Sequence, residues 1–300
     1  MPMKIVVRGK VPEEKIKPWG GQHPKKSHYD FVLDGDVDVV DAKGKPVLCL
    51  RRNKIPEEMK DEIRPIFKWM KKFKSDNRSK YAGSFTQGKM VKKDGTVSKS
   101  SRALDENGKR VEVESTVAGF FERQGGRHPF CRATYITRTE PEKWNKLLPF
   151  FELVGRVYKK AVPERYKVQM EYCHKVDDAW SIGNTPFTTI TVNNTVAAAY
   201  HQDGGDLKDG MGVMVVLKEG EYQGFELVVP QYKCAVNMRD GDIVFFDPTA
   251  WHGNIPPFDT YGEKNKDWGR ISIVLYYREG IQGCLSPKEE LARAKNRGAL

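Results

Sequence analysis

The stretch Phe187-Thr-Thr-Ile-Thr-Val-Asn-Asn-Thr-Val196, followed closely by His201-Gln202-Asp203, decides how this chain folds. Its β-branched run reads as a strand that delivers His201 and Asp203 just past its end. Asn237 to Asp247 reads as a turn at Asp240-Gly241 and then a second strand, which delivers His252 in the same way. Arg270 to Tyr277 reads as a third strand, and side-chain alternation puts Arg270 and Ser272 on one face of it. Two imidazoles and one carboxylate can cap one face of an Fe(II) ion and leave the other face open for a keto acid and dioxygen. Arg270 is placed to hold the keto acid's far carboxylate, with Arg278 the next candidate beyond it. A bare His-x-Asp also arises by chance, as two buried, hydrogen-bonded histidines. Three strands that each end or begin on a group such a site needs are a stronger signal.

Composition sets outer bounds. The 300 residues are enough for one large domain or two small ones. No apolar run is long enough to span a bilayer, and no charged-then-apolar leader opens the sequence, so a soluble, cytoplasmic protein with no membrane partner is expected. The cysteines at 49, 131, 173, 234 and 284 are odd in number and never form a Cys-x-x-Cys pair. That argues for a reduced protein without a zinc ribbon or a disulfide framework. The formal net charge is +11, from 51 basic and 40 acidic residues, which suits a polyanion, most simply nucleic acid.

The charge is concentrated between Lys68 and Arg110. This stretch begins in an amphipathic helix over Pro56 to Phe73, with Ile63, Phe67 and Met70 at helical spacing and Pro65 expected to disturb its middle. A polar, Gly- and Ser-rich segment follows, carrying Lys89, Lys92 and Lys93, with Tyr81 and Phe85 nearby. Such a segment suits phosphate contacts and base stacking, or else is only a solvated loop. Upstream, residues 36–40 and 46–51 flank the turn Lys43-Gly44-Lys45 as a hairpin. Downstream, Glu142 to Val162 reads as a helix with Trp144, Leu147, Leu148, Phe151 and Val154 in one core-facing stripe, and with Pro149 expected to kink or split it. From Tyr166 to Tyr277 strands dominate. Short strands, Gly-rich turns and a metal triad point to a mainly β protein with helices. Its core is expected to be a double-stranded β-helix, the cupin-like jelly roll. The expected organisation is a single domain over 1–300, with an N-terminal α/β elaboration over 1–125 and the jelly-roll core over 126–285.

The pieces Gly224-Phe-Glu-Leu227, Gly241-Asp-Ile-Val-Phe-Phe-Asp247 and Trp251-His-Gly-Asn254, in that order, resemble the core of the TET and base-J-binding-protein oxygenases, which include phage-encoded forms. The resemblance is clearest from Thr188 to Tyr277, and Arg132-Ala-Thr-Tyr-Ile-Thr137 extends it. It implies that His201, Asp203 and His252 ligate iron and that Arg270 anchors 2-oxoglutarate. It also implies an oxidoreductase that hydroxylates the 5-methyl group of a pyrimidine in DNA, with 5-methylcytosine favoured over thymine. In such enzymes a group near the position of Asp206 contacts the base edge; here Asp206 could accept from cytosine's amine or thymine's ring N–H, or serve only as a turn residue. Trp180 and Phe187 could stack on a flipped base, although core packing is the better use for each. A hydroxylase of a protein side chain or metabolite would use the same iron site, and a cupin-like binding module would not turn over at all.

Overall fold

The computed structural model describes residues 2–8, 11–75, 112–125, 128–258 and 267–296, together with the backbone of 89–91 and 97–99. In chain order the strands of the first half are β1 (Met3–Val7), β2 (Phe31–Leu33), β3 (Val37–Asp41), β4 (Pro46–Arg51), β5 (Lys89–Val91), β6 (Val97–Lys99), β7 (Ser115–Phe121) and β8 (Arg132–Ala133). The second half adds β9 (Thr189–Asn194), β10 (Gly212–Glu219), β11 (Leu227–Val229), β12 (Cys234–Val236), β13 (Ile243–Phe246), β14 (Gly253–Asn254) and β15 (Gly269–Tyr276). The helices are α1 (Glu13–Ile16), α2 (Glu57–Trp69), α3 (Tyr135–Thr139), α4 (Pro141–Ala161), α5 (Pro163–Cys173) and α6 (Pro287–Asn296). Three strands and the hairpin stand where the sequence places them.

Two sheets build the core. The large one has nine strands in the order β1-β3-β4-β13-β10-β15-β9-β7-β8, and the small one has four in the order β14-β11-β12-β2. All pairings in them are antiparallel except β1 with β3 and β2 with β12. Strand alternation divides the large sheet's side chains between two cores. Val213, Val215, Leu217, Ile243, Phe245, Ile271, Ile273 and Leu275 point to one side, where α2 and α4 cover them with Ile63, Phe67, Leu147, Phe150, Phe151 and Val154. Met214, Val216, Val244 and Phe246 point the other way and meet Leu227, Val229, Cys234 and Val236 of the small sheet. This is the jelly-roll sandwich expected. Strands buried on both faces explain why these runs are almost continuously apolar. Each fully buried large side chain contributes about 1.5–3 kcal/mol.

Both helices survive their prolines. α2 continues through Pro65 and α4 through Pro149. Each proline is exposed, and the carbonyls it leaves without a donor, at Asp61 and Asn145, belong to exposed residues that water can reach. The apolar stripe on the opposite face outweighs the lost bond. In that stripe Leu148 is only partly buried, while Phe150 and Tyr158 join it.

The N-terminal strands are woven into both sheets. β3 and β4 extend the large sheet beyond β13, and β2 extends the small one beyond β12. Between β1 and β2 the chain forms a strap over the outer face of the small sheet. Its backbone is tied down by Val11 N–H to Gln231 O and Asp30 N–H to Lys233 O, at 2.8 and 2.9 Å. The cysteine expectation needs correction: Cys131 and Cys284 form a disulfide, while Cys49, Cys173 and Cys234 are buried thiols. The partners lie 153 residues apart, so their spacing carries no cue; folding brings both to the small apolar cluster of Trp180, Leu207, Tyr277 and Ile281. No helix among the described residues is long and apolar enough to cross a membrane.

Candidate active site

His201 and His252 sit on neighbouring antiparallel segments. Each donates its backbone N–H to the other's carbonyl at 3.0 Å. The His252 segment runs directly into β14, so the small sheet's edge carries both imidazoles. Asp203 follows two residues after His201 and is held by its N–H to Pro248 O at 3.1 Å. Among the described residues these three form the only His/Cys/Asp/Glu group able to hold a metal ion, with donor atoms all within 4.8 Å of one another.

The donor set suits a divalent cation. His201 Nδ1 lies 2.8 Å from Ala199 O and His252 Nδ1 lies 2.9 Å from Ala250 O. A carbonyl only accepts, so each Nδ1 carries the proton and each neutral ring presents the Nε2 lone pair. Each Nε2 stands 3.4 Å from an oxygen of Asp203. Without a cation, burial works against a charged His252, but the Asp203 carboxylate overrides it and raises the imidazole. Burial likewise works against a charged Asp203, and His252 and His201 override it to hold the carboxyl below the usual range. A metal takes the neutral imidazole, so a cation would compete with protonation of His252.

Arg270 projects from β15 into the space between the sheets and is 2% exposed. Its guanidinium lies 4.9 Å from the centre of the Phe225 ring and 4.0 Å from Met214 Sδ. Phe225 in turn packs on Tyr222 and Trp268. Trp268 Nε1 is buried with no hydrogen-bond partner among the described residues, and the buried Tyr222 hydroxyl is hydrogen-bonded with Arg270. A buried guanidinium beside a phenol and an indole N–H has the chemistry to cradle a carboxylate, such as the far end of a keto acid. Ser272, also facing inward, lies with its Oγ 3.4 Å from Asn193 Nδ2. Arg278, the next candidate, lies past the end of β15 and is already engaged: it pairs with both carboxylate oxygens of Glu122.

Three residues of this cradle carried no role in the sequence reading: Tyr222, Phe225 and Trp268. Phe225 adopts φ 59°, a left-handed conformation that costs a bulky residue about 1–3 kcal/mol and concentrates at functional sites. Its neighbour Gly224, at φ 92°, was the available signal, because a Cβ there would stand 2.4 Å from Pro256 O. Asp206 is brought near the triad by the Gly204-Gly205 turn and is 8% exposed. Trp180 and Phe187 are core residues at 5% and 0% exposure. Lys89 belongs to β5, while Lys92 and Lys93 lie outside the described residues.

Fold and site together define an oxygenase domain that uses Fe(II) and 2-oxoglutarate. Residues 116–279, more than half the chain, match Tet_JBP, the oxygenase domain of the 2OGFeDO superfamily, and the chain belongs to that family. It is 35% identical over 189 residues to thymine dioxygenase JBP1 of Trypanosoma brucei brucei, covering 62% of this chain and 22% of that protein. It is 31% identical over 170 residues to the bifunctional helicase and thymine dioxygenase JBP2 of the same organism, covering 55% of this chain and 15% of that protein. The chain thus spans about a fifth of the length of the curated relatives it matches. In fold it is similar to NgTET1 in complex with 5mC DNA, with TM-score 0.58, 12% identity, and 95% of this chain and 100% of that one covered.

Proposed function

We propose that this chain oxidises the 5-methyl group of a pyrimidine base in DNA. The observation that carries the proposal is the pairing of the His201–Asp203–His252 donor set with the buried Arg270 cradle, in a chain whose family relatives include thymine dioxygenases. A methyl hydrogen is not acidic, so no acid–base pair removes it readily. Bound iron with 2-oxoglutarate and dioxygen supplies the oxidising chemistry. The protein's part is to hold the ion through two fixed tautomers and one carboxylate, to clamp the keto acid at Arg270, and to keep the chamber dry with Phe246, Phe225 and Met214. A base stacked in a duplex cannot reach a buried site, so the target is flipped out or single-stranded.

Asp206 is proposed to read the base. Burial first, then the Asp203 carboxylate, push its carboxyl well above the ordinary range, against the pull of Arg278. Its carboxyl oxygens can accept from the N4–H of cytosine as well as from the N3–H of thymine, so Asp206 would suit either base. The sequence reading leaned to 5-methylcytosine, while the 35% identical relative is a thymine dioxygenase. Asp206→Ala is expected to lower kcat/KM on DNA by about 10- to 100-fold, the worth of one good base contact. Asp206→Asn, whose amide keeps an acceptor oxygen, is expected to retain more. Unchanged kcat/KM in Asp206→Ala would reduce the residue to a turn.

The basic segment is proposed to hold the backbone on either side of the target. Replacing Lys89, Lys92 and Lys93 together by Ala is expected to weaken DNA binding. It should also flatten its salt dependence by about 0.9 in log–log slope per lost phosphate contact. Equal affinity and slope would move the phosphate contacts elsewhere. The reaction itself is tested by mass spectrometry of nucleosides. DNA with and without 5-methylcytosine is treated with protein, Fe(II), 2-oxoglutarate and ascorbate. A 5-hydroxymethyl product from either base supports the proposal and names the substrate. Consumption of 2-oxoglutarate stimulated by neither DNA would favour a metabolite or protein hydroxylase.

A further inference from the structure

The strap meets the iron histidines' chain neighbours from outside the barrel. Tyr200, just before His201, donates its N–H to Gln22 O and accepts from Gly21 N–H, both at 2.9 Å. Trp251, just before His252, lays its indole against Gly20, where a Cβ would stand only 3.1 Å from Cη2 and Cζ3. The indole Nε1 donates to Glu13 at 3.4 Å. Trp19 stacks on His28 at 4.1 Å, and His28 Nδ1 is 3.1 Å from the Tyr200 hydroxyl. Alternation makes this arrangement possible: Tyr200 and Trp251 face outward because His201 and His252 face inward. Each imidazole is anchored only two residues back, on Ala199 O and Ala250 O. The ring therefore goes wherever its own short stretch of backbone goes.

We propose that Trp19-Gly20-Gly21-Gln22 is a positioning clamp that sets the separation and aim of the two iron histidines. It lies outside the matched residues 116–279, so this part of the metal centre is supplied by sequence beyond the family's oxygenase segment. The inference rests on His201, Asp203 and His252 being the ligands. Gly20 is the sensitive position, because any side chain there drives the Trp251 ring and, through the chain, His252.

The test uses Co(II) as the probe metal, with binding followed by its visible absorption under anaerobic conditions. Gly20→Val is expected to weaken Co(II) binding about 10- to 100-fold, as loss of an outer-shell support does, while the metal-free protein keeps its circular dichroism. Adding Trp251→Phe, which removes the ring atoms that the valine meets, should restore affinity to within about threefold of Trp251→Phe alone. Where Gly20→Val does not fold, Gly20→Ala, which asks for a shift of a few tenths of an ångström, gives the same readout with a smaller loss. Wild-type Co(II) affinity in the folded variant overturns the clamp, as does a loss that Trp251→Phe fails to rescue. Asp203→Ala separates the two levels: if it binds Co(II) normally, the ligand assignment itself is wrong.

Discussion

Asp203→Ala, His201→Ala and His252→Ala are each expected to abolish turnover while leaving a folded protein. Ligation by a bound metal is worth several kcal/mol of barrier, and about 1.4 kcal/mol is tenfold in rate. A loss of at least about 1000-fold follows. The fold should persist because the three residues sit at strand ends and mouth positions, with His201 and Asp203 only partly buried, rather than in either apolar core. Asp203→Ala is the most informative of the three. In the metal-free protein the carboxylate lies 3.4 Å from both Nε2 atoms, so its removal also releases His252 from the influence that raises its pKa. The measurement is 2-oxoglutarate consumption together with metal content after dialysis. Near-normal turnover in any one variant would remove that residue from the ligand set.

Arg270→Lys is expected to raise the KM for 2-oxoglutarate by about 100-fold, with kcat at saturation much less affected. Lysine keeps the charge but loses the planar fork that pairs with both oxygens of a carboxylate. Disturbing one partner of a buried charge pair costs about 2–5 kcal/mol. DNA affinity should hold, because Arg270 is 2% exposed and lies under the Phe225, Tyr222 and Trp268 rings. An unchanged 2-oxoglutarate requirement would move the anchor to another residue. Arg278 is not that residue, since Glu122 already occupies its guanidinium.

The coming together of His201, Asp203 and His252 and the inward face of Arg270 were legible because strand periodicity is short-ranged. Once 187–196, 237–247 and 270–277 read as strands, the polar groups at their ends have few places to go. What could not be read depended on convergence of distant segments. Tyr222, Phe225 and Trp268 meet only because Phe225 takes a backbone conformation its side chain disfavours. Cys131 and Cys284 meet only in the folded chain. Pro65 and Pro149 misled because a proline's cost depends on whether water reaches the carbonyl it abandons, and helical periodicity alone does not weigh that. Trp19-Gly20-Gly21-Gln22 carries no periodicity at all; its meaning lies wholly in what it touches.

The weaving of β4 onto β13 and of β2 onto β12 has a consequence for anyone wishing to move this oxygenase onto another protein. The segment that matches the family, 116–279, is therefore expected not to be a transplantable unit. Cut out alone, it would present Ile243-Val-Phe-Phe246 and Cys234-Ala-Val236 as bare apolar edges, a template for association with other copies. A graft that keeps its shape must bring along residues far upstream of the chemistry, so in this chain the inheritance of the catalytic part and of its N-terminal partner is physically linked.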